Sequence, residues 1–116
     1  MTKKIELSVL DPSPIVEGGS AKLSLQNTLD LAKKTEQWGY KRFWLAEHHN
    51  WAGMASSASP IVIGRVAPVT EKMHIGSGAM LLSHYSPLPW PDRSWIGAGT
   101  WHRPIYSKCI AAADCW

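Results

Sequence analysis

The feature that most constrains this chain is its hydrophobic period, which switches between strand-like and helix-like four times before residue 82. Residues 5–10 alternate and predict a first strand. Asp11-Pro12-Ser13-Pro14 closes it, because two prolines cannot continue a ladder. Gly18-Gly19 extends the loop and Ser20 is placed to cap a helix. Over residues 21–38, Leu25, Leu29 and Ala32 recur on one helical face, with Leu31 beside them and Lys33, Lys34 and Glu36 on the wetter side. Gly39 suits the left-handed position after the helix. Residues 42–46 form a second apolar run. Pro60 fits the first turn of a second helix with Ser57 or Ser59 as its cap. Ile61, Ile63, Gly64, Val66, Ala67 and Val69 make that helix apolar nearly all round, so burial on every side is expected, with a kink or stop at Pro68. Thr70-Glu71-Lys72 turns into a third strand over residues 73–82. Strands that alternate with helices in this way form a parallel sheet.

The second strand delivers an unusual cluster. Phe43-Trp44-Leu45-Ala46 is followed at once by Glu47, His48, His49 and Asn50. In a parallel α/β sheet the C-terminal ends of strands border the ligand crevice. A carboxylate, two imidazoles and a carboxamide at that edge are therefore candidate site residues. Adjacent residues of an extended chain point to opposite faces, so the two histidines face different surroundings and do not readily share one metal. Trp44 reads as core. His74 and His102 read as surface histidines, and His84 is a candidate for the pocket rim. Gly76 and Gly78 weaken the third strand. They fit either close approach of a flat ligand or a bulge and tight packing, and glycine alone does not separate the two.

Arg42-Phe43-Trp44-Leu45-Ala46-Glu47-His48-His49-Asn50 resembles a signature of the bacterial luciferase-like flavin monooxygenases. The following Asn50, Gly53, Ala55, Ser56 and Ser57 resemble the next loop of that family, and residues 74–88 resemble a third block. Tyr85 stands where the family more usually has Asn. The resemblance covers residues 4 to 88. It implies an α/β fold, namely the N-terminal β-α-β-α-β portion of a (β/α)8 TIM barrel. It also implies reduced FMN, supplied by a flavin reductase, together with dioxygen and a small organic substrate. Full-length relatives would be dimeric. By the same resemblance His48 is the catalytic acid or base. Glu47 shapes the flavin pocket, and Gly78 and Ala79 form the floor under the isoalloxazine, where an irregular peptide, even a cis one, is expected. His49 and Asn50 would orient substrate or the neighbouring loop.

Length bears on this. The chain has 116 residues, whereas a complete barrel of this kind needs about 250. After Leu88 the periodicity vanishes. Pro89, Pro91 and Pro104 interrupt a stretch carrying Trp90, Trp95, Trp101, Trp116 and both cysteines. We therefore expect a family unit over residues 1–88 and a divergent, disordered tail over 89–116, produced by a shifted reading frame in a truncated gene. A genuine Trp-rich extension packed on the open sheet is the alternative. The fragment is expected to bind flavin weakly, since nothing in it resembles a phosphate cradle.

Other function classes have less behind them. The formal net charge of +3 is mild and its basic residues are scattered, which argues against nucleic-acid binding. No apolar leader or membrane span stands out, and Cys109 and Cys115 form no zinc or redox pattern, so a cytoplasmic location is expected. A metal-dependent hydrolase using His48 or His49 with Glu47 and Asp11 would need further ligands. A non-enzymatic interaction module would use the Trp-rich tail as its surface.

Overall fold

The computed structural model describes residues 5–81 and 84. Its elements run β1 (Ser8–Asp11), α1 (Ala21–Gln37), β2 (Arg42–Leu45), α2 (Ser59–Val66), a 3-10 turn at Ala67–Val69, and β3 (His74–Ser77). The strands form one parallel sheet in the order β1-β2-β3. Register places Val9, Phe43 and Ile75 in one row and Leu10, Trp44 and Gly76 in the next. The expectations for residues 82, 83 and 85–116, including the tail and His102, lie outside the described residues.

Alternation sorts the rows onto two faces. Phe43, Leu45 and Ile75 are buried with Ala32 of α1, Val62, Ile63 and Val66 of α2, and Met73. Each of these side chains larger than alanine contributes roughly 1.5–3 kcal/mol by leaving water. The opposite face is less covered: Leu10 is 62% exposed and Trp44 is half-buried, so Trp44 is only in part the core residue it was expected to be.

The helix ends follow local chemistry. Ser20 caps α1 by accepting from the Leu23 N–H at 3.2 Å. At the other end Gly39 has φ +85°, with Gly39 N–H donating to Glu36 O and Tyr40 N–H to Thr35 O. That is the paired closure a left-handed glycine permits.

Several details differ from the sequence expectation. β1 begins at Ser8 and runs through Asp11, because Ala46 N–H still pairs with Asp11 O at 3.0 Å. Pro12 then ends it. β2 stops at Leu45, one residue early. β3 covers His74–Ser77 and not 73–82: Gly78 N–H still reaches Leu45 O, but Ser77 turns its hydroxyl onto Ala79 O and the chain bends away. The buried positions of α1 are Ser24, Thr28, Ala32 and Thr35, with Leu25, Leu29 and Leu31 flanking them. Polar residues can hold that centre because Thr28 bonds Asp11 and Thr35 bonds the carbonyls of its own helix. Neither Ser57 nor Ser59 caps α2. Ala58 occupies the cap position without a side-chain bond, and Pro60 sits in the first turn. Nor is α2 buried all round, since Ile61 is 71% exposed. The helix does tighten into a 3-10 turn around Pro68. Glu36 accepts from the backbone N–H groups of Glu71, Lys72 and Met73, between 2.6 and 3.0 Å, and so fastens the end of α1 to the entry of β3.

Candidate active site at the C-terminal edge of the sheet

Three chain segments leave the sheet at the same edge. The first leaves β1 through Asp11. The Asp11 carboxylate is buried and accepts from Ser13 N–H at 2.9 Å and Thr28 Oγ1–H at 2.6 Å. This holds Ser13 in a left-handed turn, φ +51°, a local closure that an aspartate two residues back supports. The second leaves β2 through residues 46–55. These two loops are joined: Ile15 N–H donates to Gly53 O, Ala55 N–H to Ser13 O, and Pro14 bridges Met54. The third leaves β3 through Gly78 and Ala79, beside the end of β2.

The residues of the polar cluster separate as an extended chain requires. His48 is half-buried. Its N–H donates to Ser56 O, and its ring lies edge-on to Trp51 with centroids 5.4 Å apart. His49 turns elsewhere. Its Nε2 is 2.7 Å from Glu47 Oε1, and its ring stacks on His84 at 4.7 Å. Asn50 takes a left-handed turn, φ +53°.

Glu47 lies deepest. Its side chain has no exposure, while that of His49 keeps 27%. Oε2 accepts from Ser59 Oγ at 2.7 Å, and Oε1 also receives Leu81 N–H at 3.4 Å. Burying a carboxylate is tolerable only with such partners. Glu47 therefore joins three elements: the exit of β2, the first turn of α2 and the segment after β3.

Gly78 and Ala79 are half-buried at this edge. A methyl at Gly78 would sit 2.9 Å from Leu10 Cδ1 and 3.6 Å from Trp44 Cβ. Leu10 Cδ1 is the end of a flexible, exposed side chain able to turn aside, so the closer contact is not a fixed wall of the protein. No cis peptide occurs among the described residues, so the Gly78–Ala79 bond is trans; the irregularity there is the bend after Ser77.

The expected residues accordingly gather at one edge, but not in one environment. His48 is accessible, Glu47 is enclosed, and Gly78 and Ala79 form a backbone shoulder beside them. His84 does reach the site, through His49, while His74 is exposed at the far end of β3. Sequence reasoning missed Ser59 and Ser77 as partners in this site. A serine opening a helix reads as a cap, and Ser77 reads as one residue of a strand over 73–82. Among the described residues no three His, Cys, Asp or Glu side chains come together as a metal ion would require. Among them, too, no helix is long and apolar enough to cross a membrane.

Comparison with known proteins agrees with this fold. The family model for luciferase-like monooxygenases matches residues 5–89. The luciferase-like monooxygenase of Escherichia coli K12 is 49% identical over 86 residues, which is 74% of this chain and 26% of that protein. The N-acetyl-S-alkylcysteine monooxygenase of Bacillus subtilis is 48% identical over 82 residues, 71% of this chain and 25% of that one. Among solved structures, apo-MsnO8 superposes with a TM-score of 0.88 at 37% identity, over 94% of this chain and 33% of that chain. The oxygenating constituent of 3,6-diketocamphane monooxygenase from Pseudomonas putida, solved with FMN, gives a TM-score of 0.72 at 18% identity, a likeness of fold, over 78% of this chain and 25% of that chain. The chain thus spans a quarter to a third of the length of these relatives, and its parallel β-α-β-α-β unit corresponds to one portion of their TIM barrels. On its sequence and its fold together, it belongs to the luciferase-like monooxygenase family.

Proposed function

We propose that this chain forms one wall of the active site of an FMN-dependent monooxygenase, in which reduced FMN from a flavin reductase meets dioxygen and a small organic substrate. The observation that carries this reading is the convergence of His48 with the Gly78–Ala79 shoulder at the C-terminal edge of a luciferase-like sheet. Bound reduced flavin would supply the electrons and the site of oxygen activation. The residues present fit one side of its ring. Leu10 and Trp44 offer an apolar face, Ala79 a backbone edge, and His48 an imidazole able to donate or accept a hydrogen bond. Leu10 stands over Gly78, so ring contact there requires this exposed side chain to swing aside. Glu47 is a positioning residue: it is enclosed, and it fixes His49, Ser59 and the Leu81 amide.

The described residues hold no phosphate cradle, which in this fold is built by late strands. Binding by this chain alone is therefore weak, and turnover by it alone is absent. Residues 1–88 are the functional unit in this reading, supported by the family match over residues 5–89. The tail over 89–116 is a divergent end, the complete enzyme is a cytoplasmic dimer, and the substrate is unspecified.

Titration of the full chain with FMN, oxidised and photoreduced, tests the proposal. Resonances of His48, Gly78 and Ala79 should move together, saturating only at high flavin concentration. His48→Ala should weaken the effect while leaving the unfolding midpoint within error. No movement at these residues at any flavin concentration would sink the flavin site. Tight stoichiometric binding, or substrate oxidation lost in His48→Ala, would overturn the claim that this chain alone is inactive.

A further inference from the structure

A line of hydroxyls runs behind the proposed flavin wall, through the buried region where β2, α2 and β3 meet. Ser59 Oγ donates to Glu47 Oε2 at 2.7 Å and lies 3.2 Å from Ser77 Oγ. Ser77 Oγ donates to Ala79 O at 2.6 Å. Ser59 and Ser77 have no exposure. The outer end of the line is His49, which contacts Glu47 and stacks on His84 near the surface.

We propose that Ser59 and Ser77 are positioning residues that couple the Glu47–His49 pair to the Ala79 carbonyl of the active-site wall. Each serine hydroxyl carries one proton. When Ser59 donates to Glu47 and Ser77 donates to Ala79 O, no proton remains for the contact between the two oxygens. Joining them requires one serine to turn from its acceptor. Glu47 Oε2 and Ser77 Oγ therefore compete for the one proton of Ser59, and Ser77 Oγ gains or loses an accepted bond while it donates to Ala79 O. A weaker demand at Glu47 releases Ser59 toward Ser77, and the bond at Ala79 O changes with it. The demand at Glu47 depends on His49, the member of the line that reaches solvent. Buried strings of this kind respond jointly, because each bond polarises the next. The rival view is that Ser77 merely closes its own turn, independent of what happens at Glu47.

The coupling depends on the flavin proposal only for calling residues 78–81 a wall, and its first test uses no flavin. In the full isotope-labelled chain, His49→Gln should shift the Ala79 carbonyl carbon and the Gly78 and Leu81 amide resonances. In a Ser59→Ala background the His49→Gln shift at Ala79 should fall to under half. The shift at Leu81, which touches Glu47 directly, should persist. Ser77→Ala interrupts the same string from the other side and gives the same answer if Ser59→Ala folds poorly. Ser77→Thr keeps the hydroxyl and should restore the Ala79 response. An Ala79 response to His49→Gln that is undiminished in both alanine backgrounds, or absent in the parent chain, overturns the proposal. Titrating FMN into Ser77→Ala gives an independent readout. Loss of the carbonyl's position should weaken binding about fivefold, the equivalent of one neutral hydrogen bond. Unaltered affinity would remove the link to the wall.

Discussion

Single residues at this edge do two different jobs, and substitution should separate them. Glu47 is enclosed and accepts from Ser59 and Leu81 while meeting His49. Removing it leaves those groups without their acceptor, at a cost of about 3 kcal/mol. Glu47→Ala should therefore lower the urea midpoint far more than His48→Ala, whose ring contacts an exposed tryptophan. Thr28→Val preserves shape but withdraws the 2.6 Å bond to Asp11. It should cost about 1–3 kcal/mol, since a buried carboxylate loses a donor, and the same denaturation series would measure it. The polar cluster was legible in the sequence because Glu47, His48 and His49 are contiguous and follow an apolar strand. Their partners were not, since Ser59 is 12 residues and Ser77 is 30 residues along the chain from Glu47. Contacts at that separation are made by strand order and register, which a serine codon does not announce.

At the scale of elements, the termini of α1 were the most legible part of the fold. Ser20 and Gly39 act through bonds to residues within five positions. Gly39→Ala places a side chain at φ +85° and should reduce stability by about 1 kcal/mol, read as a lower thermal midpoint with unchanged helix content. The strands were harder. Their ends depend on what the neighbouring chain does: Ala46 N–H still meets Asp11 O and carries β1 to Asp11, whereas β3 ends where the chain bends after Ser77 although Leu45 O still accepts from Gly78 N–H. The buried centre of α1 was misplaced because periodicity weighs Leu25 and Leu29 above Ser24 and Thr28. Only the facing Asp11 makes a threonine at home there. Glu36 was likewise placed among the wet residues of the helix. Glu36→Ala should free three amides at the entry of β3 and cost about 1–2 kcal/mol. Hydrogen exchange at Lys72 and Met73 should rise first, before exchange in α1.

Across the whole molecule, the sheet has one face under two helices and another on which Leu10 stands largely in water. In a closed barrel that second face turns inward. Exposed as it is here, it should promote association between molecules. Leu10→Lys should reduce concentration-dependent sedimentation without lowering the denaturation midpoint, because Leu10 lies outside the core cluster. The same edge of the molecule carries the joined loops after β1 and β2. Two backbone hydrogen bonds, which set Pro14 opposite Met54, make residues 13–15 and 53–55 a single piece. A molecule that settles against one of these loops must therefore do work on the other. Linkage makes the relation mutual: whatever preference the Ser13 side has for a guest, the Trp51 side inherits, and neither lip of the opening can adapt to a new shape without renegotiating the fit of its neighbour.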